Sequence, residues 1–455
     1  MAEDRKEFLE TNAMIAKPVK AQQTQSSSST SVHDRFSRID QWLLEKFHHS
    51  VGRPPIRLML GDGVQVSPAD VLPIAKILIR DRRTLLNLIL DPEVAFGEAY
   101  SEGRITVEGD LIAALEAVYQ SMPDLESTNW YARIVSRCMG YVQRNSLRGA
   151  RNNIHGHYDL NNDFFRLWLD PLLVYSCAYF PPGSMGLDEA QVAKMDYICR
   201  KLNLQPGERV VDIGSGWGAL ALHMAKHYGV TARGFSISHE QVRWARRRAQ
   251  EMDLSHRVEF IEDDYRNLSG KCDALVSVGM LEHVGPEHYA DMGRVIHLSL
   301  DNAGRGLLQF IGRNRQRPFS NWSRKRIFPG AYAPTLRQVM DIFEPWELSI
   351  LDVENLRHHY TRTLEHWLGR FEDSAGGVAA MFGPEFVRTW QLYLAGAIAG
   401  FRVGTLQLFQ IVFARTACQR IPSTRAHLYV EGRPEERKES NGNDAALAHV
   451  GLVEG

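Results

Sequence analysis

The chain has 455 residues, 44% of them hydrophobic and 24% charged, with 53 basic against 54 acidic side chains. That length calls for two or three domains, and the composition is that of a globular enzyme. A net charge of −1 argues against a nucleic-acid binder, and five scattered cysteines without C-x-x-C spacing argue against a disulfide framework or a zinc site.

The N-terminus, MAEDRKEFLETNAMIAKP, is charged and lacks the apolar core of a signal peptide. It leads into the polar tract QQTQSSSSTS, so residues 1–31 read as disordered. A small α+β domain is expected over 32–123, with β-like pieces IRLMLGDG and RITVEGD around an apolar helical stretch, PADVLPIAKILI. A polar helical connector follows over 124–153. The main domain spans 154–430, and residues 431–455 read as a second disordered end.

From Pro206 onward strand and helix signals alternate, the pattern of a doubly wound parallel sheet covered on both faces. The strands are RVVDIG, VTARGFS, RVEFIED, CDALVSVG and GLLQFIG, with ELSILDVENL and QLFQIVFAR as later additions. Each is nearly continuous in apolar residues, as buried strands are. No apolar run approaches the roughly 20 residues needed to span a bilayer. The expectation is a cytoplasmic protein that touches the inner membrane surface transiently. Arg243, Arg246, Arg247 and Arg248 form one basic cluster, and Arg313, Arg315, Arg317, Arg324, Lys325 and Arg326 form another. Each reads either as a solvated face or as a contact for anionic lipid headgroups.

The strongest motif is the strand–loop–helix junction Val210-Val211-Asp212-Ile213-Gly214-Ser215-Gly216-Trp217-Gly218, followed by ALALHMAKHYG. Glycines let a ligand approach the backbone, and a helix N-terminus offers free N–H groups. A dinucleotide site has G-x-G-x-x-G and an acid about 20 residues further on. Here the spacing is G-x-G-x-G, the second strand ends on Ser236 without an acid, and the acid is Asp212 at the end of the first strand. That combination favours S-adenosylmethionine over a nicotinamide cofactor. Gln241 reads either as a cofactor contact or as part of a capping box with Ser238. Asp264 and Tyr265, after the third strand, sit where an adenine edge and face would lie.

These pieces, with further blocks, resemble the cyclopropane-fatty-acyl-phospholipid synthases and their mycolic-acid-modifying relatives. The blocks are His157-Tyr158-Asp159-Leu160, Asn162-Asp163-Phe164-Phe165, Tyr175-Ser176-Cys177-Ala178-Tyr179-Phe180, Gly279-Met280-Leu281-Glu282-His283-Val284-Gly285, Ile327-Phe328-Pro329-Gly330 and Tyr360-x-x-Thr363-Leu364. Phe96-Gly97-Glu98-Ala99-Tyr100 and Val107-Glu108-Gly109-Asp110-Leu111 extend the resemblance to the small first domain. It implies a Rossmann-like class I methyltransferase fold. It also implies a reaction in which a cis alkene of a phospholipid acyl chain takes the sulfonium methyl, after which bound bicarbonate removes a proton and a ring closes. Tyr175, Ser176, Gly214, Ile237, Gln241 and Tyr265 match cofactor positions, and Asp212, Gly216, Gly218, Ser236 and Asp264 join them from the residue reading. Cys177, Glu282, Ile311 and Tyr360 match bicarbonate and active-site positions, with Glu282 expected to orient the anion. A carbocation demands a dry pocket with aromatic faces, for which Tyr175, Tyr179, Phe180, Phe328 and Tyr360 are available.

One position departs from the family. Where it usually has His, this chain has Gln309, an amide that donates a hydrogen bond but cannot carry charge. The resemblance therefore leaves a methyl- or methylene-branched product as an alternative to the ring, and a small-molecule N-methyltransferase as a more distant one. The small domain reads as a lipid-capturing or a homodimerising element. His155 and His157 with Asp159 are too weak a pattern for a metal, and none is expected.

Overall fold

A computed structural model describes residues 38–122 and 162–429, apart from 62, 69–70, 184 and 318. Both polar ends, the connector expected over 124–153 and the block at 155–160 lie outside the described residues.

The small sheet contains β1 (Ile56–Leu60), β2 (Val64–Val66), β3 (Ala75–Ile79) and β4 (Ile105–Gly109) in the order β2-β1-β3-β4. Helices α1 (Arg38–Ser50), α2 (Arg82–Leu90), α3 (Pro92–Ser101) and α4 (Leu111–Ser121) accompany it. Asp81, Asp91 and Asp110 cap the last three, each accepting from backbone N–H groups of the first turn. The helix expected in PADVLPIAKILI is absent: its second half is β3, parallel to β1 and antiparallel to β4. Pro68 and Pro73 disfavour helix for the residues before them. Ala75, Ile77 and Ile79 then alternate buried with half-buried neighbours, a two-residue period that suits a strand.

The large sheet has seven strands: β5 (Arg209–Ile213), β6 (Thr231–Ser236), β7 (Val258–Glu262), β8 (Cys272–Val278), β9 (Leu300–Gly312), β10 (Leu348–Asn355) and β11 (Gln407–Arg415). Their order is β10-β11-β9-β8-β5-β6-β7. Strands β5 to β9 run parallel, and β11 enters antiparallel between β9 and β10. All seven correspond to runs picked out in the sequence. Val210, Ala274, Leu307 and Val412 face α5 (Leu187–Lys201), α6 (Ala219–Tyr228) and α7 (His239–Glu251). Val211, Leu275, Leu308 and Ile411 face α8 (Tyr289–Ser299) on the other side. Two buried faces explain the unbroken apolar runs.

Two later helices, α9 (Arg357–Asp373) and α10 (Pro384–Arg402), tie the parts together. From α10, Arg388 donates to the carbonyls of Tyr100 and Ile105 at 2.6 and 2.8 Å, with its guanidinium over the Tyr100 ring. Gly97 of α3 packs so closely on Trp322 that a Cβ there would lie 2.3 Å from the indole. Lys325 and Arg326 both pair with Glu98, so part of the second basic cluster is spent inside the molecule. No helix among the described residues is long and apolar enough to cross a membrane.

Within the sheet, β9 carries a fully buried arginine. Arg305 donates to both oxygens of Glu208 at 3.0 and 2.6 Å and to the carbonyls of Leu202, Asn203 and Asp273, and Glu208 also takes Arg420. Removing the arginine takes from the buried Glu208 one of its two cations and leaves three buried carbonyls without their donor. Arg305→Met is therefore expected to lower stability by about 3–5 kcal/mol, read by urea unfolding. A loss below about 1 kcal/mol, the range of an exposed pair, would show the network to be dispensable.

Candidate active site

A cavity opens at the carboxyl ends of β5, β6, β7 and β8, around the point where strand order reverses between β5 and β8. Ligands bind at this place in open α/β sheets. Its floor is the glycine loop. Gly214, Gly216 and Gly218 have φ of +82°, +54° and +83°, a region that disfavours side chains. Gly216 has open space where a Cβ would stand, so the backbone there can meet a ligand directly. Gly218 does not line the cavity. A Cβ on it would lie 2.5 Å from the Phe260 ring and 2.9 Å from Ala245, so its role is to let α6 start close against β7 and α7.

Tyr175, Ser176, Asp212, Gly214, Gly216, Ser236, Ile237, Gln241, Asp264 and Tyr265 all line this one cavity. Ser238 caps α7 by accepting from the Gln241 N–H, but the Gln241 side chain does not close a capping box. It turns into the cavity and accepts from the Ser236 hydroxyl at 3.0 Å. Asp264 starts a 3₁₀ turn and is held by a two-pronged pair with Arg266 at 2.8 Å.

Lys194, which the sequence pattern did not single out, also lines the wall, as do Trp217, Met280 and His283 from the quoted blocks. Lys194 lies on α5 and donates to Ser176 Oγ at 2.9 Å, while Gln191 one turn earlier donates to the carbonyls of Val174 and Ser176. With Lys201 they form a polar stripe at 191, 194 and 201 on the buried side of the helix. Polar residues at helical spacing on an otherwise apolar face were the available signal. Trp217 donates to Asn162 Oδ1 at 2.8 Å, and this anchors the Asn162–Arg166 helix to the glycine loop.

The expected catalytic residues do not line the cavity itself but adjoin it. Cys177 follows Ser176, is buried, and donates from Sγ to its neighbour's carbonyl at 3.1 Å. Burial pushes its thiol well above the usual range, so it is neutral and no nucleophile at pH 7. Glu282 lies in a 3₁₀ turn just past β8, and its Oε1 accepts from the Ile311 N–H at 2.6 Å. Its Oε2 is buried with no hydrogen-bond partner among the described residues. Gln309, two residues before Ile311 on the same face of β9, accepts on its backbone oxygen from Gly279, a cavity-lining residue. Tyr360 packs on Phe401 and Trp367 at ring distances of 4.8 and 6.0 Å. Trp367 leads on to Tyr175, Trp168 and Phe165, an aromatic cluster flanking the cavity. Tyr179 and Phe180 instead stack on Tyr197, His359 and His366. Among the described residues no group of His, Cys, Asp and Glu could hold a metal.

Several charges here are suppressed by burial. Desolvation raises Asp212 and Glu282 each to about 7, and lowers His283 to about 4. It also lowers Lys194 to about 8. A positively charged ligand such as a sulfonium would restore the ionised form of Asp212, so the residues fit S-adenosylmethionine: an open glycine, a desolvated acid and polar groups on the adenosine side.

The model of the mycolic acid cyclopropane synthetase family matches residues 145–411. The chain is 32% identical to a probable fatty acid methyltransferase of Pseudomonas putida over 82% of this chain and 96% of that protein. It is 40% identical to the cyclopropane-fatty-acyl-phospholipid synthase of Escherichia coli (strain K12), over 57% of this chain and 66% of the relative. The solved structure of the cyclopropane synthase MmaA2 from Mycobacterium tuberculosis superposes with a TM-score of 0.56 at 32% identity, over 58% of this chain and 98% of that one.

The raised carboxyls make stability depend on pH. In an unfolded chain Asp and Glu titrate near 4, so the folded state holds these protons more tightly. The stability they contribute is complete below about pH 4 and is lost as pH rises through about 7. His283 acts oppositely, but only below about pH 6.5, where the unfolded chain becomes protonated. Between pH 6.5 and 8 the ligand-free protein should therefore lose stability, and Asp212→Asn should recover on the order of 2–4 kcal/mol at pH 8. Melting curves of both proteins at pH 5.5, 6.5 and 8 check this; parallel curves would show that Asp212 is not desolvated.

Proposed function

The chain belongs to the mycolic acid cyclopropane synthetase family and is an S-adenosylmethionine-dependent lipid C-methyltransferase or cyclopropane synthase; from that premise we propose that it cyclopropanates cis double bonds in unsaturated phospholipid acyl chains, with bicarbonate as the base. The observation that carries this reading is Glu282: one oxygen is fixed by the Ile311 N–H, and the other is buried and unpartnered. An orphaned buried acceptor costs free energy unless a ligand satisfies it. A bicarbonate O–H is a donor of the right size, and its remaining oxygens can then face the reacting carbon.

S-adenosylmethionine supplies an electrophilic methyl. Tyr175, Ser176, Gly214, Gly216, Ser236, Ile237, Gln241, Asp264 and Tyr265 are assigned to hold it, with Asp212 on the side of its positive charge. Lys194 fixes Ser176 and so sets the position of the Tyr175–Cys177 segment. With S-adenosylmethionine bound, the alkene π electrons would form a bond to its methyl carbon as the sulfur–methyl bond breaks and S-adenosylhomocysteine leaves, placing a cation on the acyl chain. A proton then passes from the new methyl to bicarbonate, giving carbonic acid, and the released electron pair closes the ring. The aromatic cluster reached from Tyr360 through Trp367 supplies π faces and excludes water. Cys177 closes the pocket as a neutral group. The exposed Val71 and Leu72 ahead of β3 and Leu90 at the end of α2 suit lipid capture at the inner membrane surface.

A second reading, a methyl- or methylene-branched product, is favoured by Gln309 and by the nearly full-length likeness to a probable fatty acid methyltransferase. With a neutral amide in place of a cationic donor, anion binding weakens, and a hydride shift followed by proton loss elsewhere competes with ring closure.

Expression in a host without such an enzyme, followed by gas chromatography and mass spectrometry of its fatty acids, separates the two. A saturated ring on a chain one CH₂ heavier supports the first; the same mass with a retained double bond supports the second. Glu282→Gln should cost on the order of 100-fold in turnover, as loss of a preorganised polar group does, while Gln309→His should cost little or raise it. Small and equal losses at both would sink the bicarbonate assignment.

A further inference from the structure

The stripe on α5 ends at Lys201, whose ammonium is almost completely buried beneath the sheet. It donates to Glu354 at 2.5 Å and to Gln410 Oε1 at 2.7 Å, and it lies 4.8 Å from the centre of the Tyr197 ring. Gln410 is fully buried on β11 and directly opposite Gln309 on β9, so both side chains emerge on the α5 face. Gln410 Nε2 donates to Gln309 Oε1 at 2.7 Å.

The direction of this chain is not free. Amide oxygen and nitrogen are often interchangeable by shape alone, but a lysine has three donors and no acceptor. Gln410 must therefore present its oxygen to Lys201 and its nitrogen to Gln309. Gln309 must answer with its oxygen, which leaves its Nε2 pointing out of the chain; among the described residues nothing accepts from that nitrogen. The same residue's backbone accepts from Gly279 on the cavity wall, and the next residue on its face gives its N–H to Glu282. Tyr179, two residues after Cys177, stacks on Tyr197 at 4.1 Å, so the Cys177 segment runs over the same network.

We propose that Lys201 and Gln410 are positioning residues that lock the polarity of the Gln309 amide, so that its N–H groups face the anion beside Glu282. The inference rests on the bicarbonate reading above. A neutral side chain then acts as a directed donor because a remote buried charge forbids the flipped orientation, in which a carbonyl oxygen would repel the anion. Burial pulls the ammonium toward its neutral form, and the Glu354 carboxylate opposes this.

Gln410→Glu tests this by inverting the chain. A carboxylate accepts from Lys201 and can only accept from Gln309, so the Gln309 amide must turn its nitrogen inward and its oxygen to the site. With full-length protein, vesicles of a mono-unsaturated phospholipid and carbonate-stripped buffer, the bicarbonate concentration for half-maximal turnover should rise by about tenfold or more, while the S-adenosylmethionine KM stays as in the wild type. In a Gln309→Leu background, Gln410→Glu should add no further rise. If Gln410→Glu does not fold, Lys201→Gln, which permits either polarity, should show a smaller rise of the same kind. An unchanged bicarbonate response in these variants, in an enzyme where Glu282→Gln does shift it, overturns the polarity lock and leaves the bicarbonate reading standing. A weakened S-adenosylmethionine affinity or a lowered melting temperature, with the bicarbonate response unmoved, overturns it equally, as a merely structural role. A wild-type enzyme indifferent to bicarbonate overturns both.

Discussion

A polar group buried in a sheet must find a partner, and β9 is where this fold meets that demand most severely. The strand is buried from Arg305 to Phe310 yet carries polar side chains at 305 and 309, both on the face that packs against α5. Arg305 is satisfied by Glu208 and three carbonyls at the strand's entry. The Gln309 amide oxygen is satisfied by Gln410 near its exit. At the exit itself, the Ile311 N–H holds Glu282. One strand thus carries a structural ion network at one end and borders the candidate site at the other. The apolar residues between them supply the low dielectric that makes each polar contact count.

Most of the architecture was legible in the sequence because a doubly wound sheet writes itself as apolar runs at regular intervals. All seven strands of the large sheet, and the glycine loop, follow from that pattern. At 68–79 the apolar stretch points to a helix and the chain forms a strand: two prolines break the stretch, and the Ala75–Ile79 remainder is too short to distinguish strand from buried helix by hydrophobicity alone. Ten residues that motif positions point to for the cofactor converge on one cavity. Gly218 was readable as a glycine but not as a packing glycine, since Phe260 and Ala245 approach it from distant parts of the chain.

What sequence could not give was partnership across long separations. Lys194 meets Ser176, Lys201 meets Gln410, and Trp217 meets Asn162, and none of these pairs shares a local pattern. Nor does composition reveal which acids are desolvated. Asp212 and Glu282 are two of many carboxylates, and only their burial at the carboxyl edge of the sheet brings their titration into the neutral range. The departure at 309 looked like a simple loss of charge. The folded chain returns some of what is lost through orientation, because a lysine over 100 positions away in sequence determines which end of the amide is outermost.

Helix α10 is a party wall. One side carries Trp390 and Tyr393, which join the aromatic cluster and reach Tyr175 through a 2.9 Å hydroxyl contact; another carries Arg388, which grips the small sheet. A substitution on the Arg388 side of α10 is therefore felt in the small sheet, and one on the Trp390 side in the aromatic cluster beside the cavity, so a single helix makes the two parts sensitive to each other.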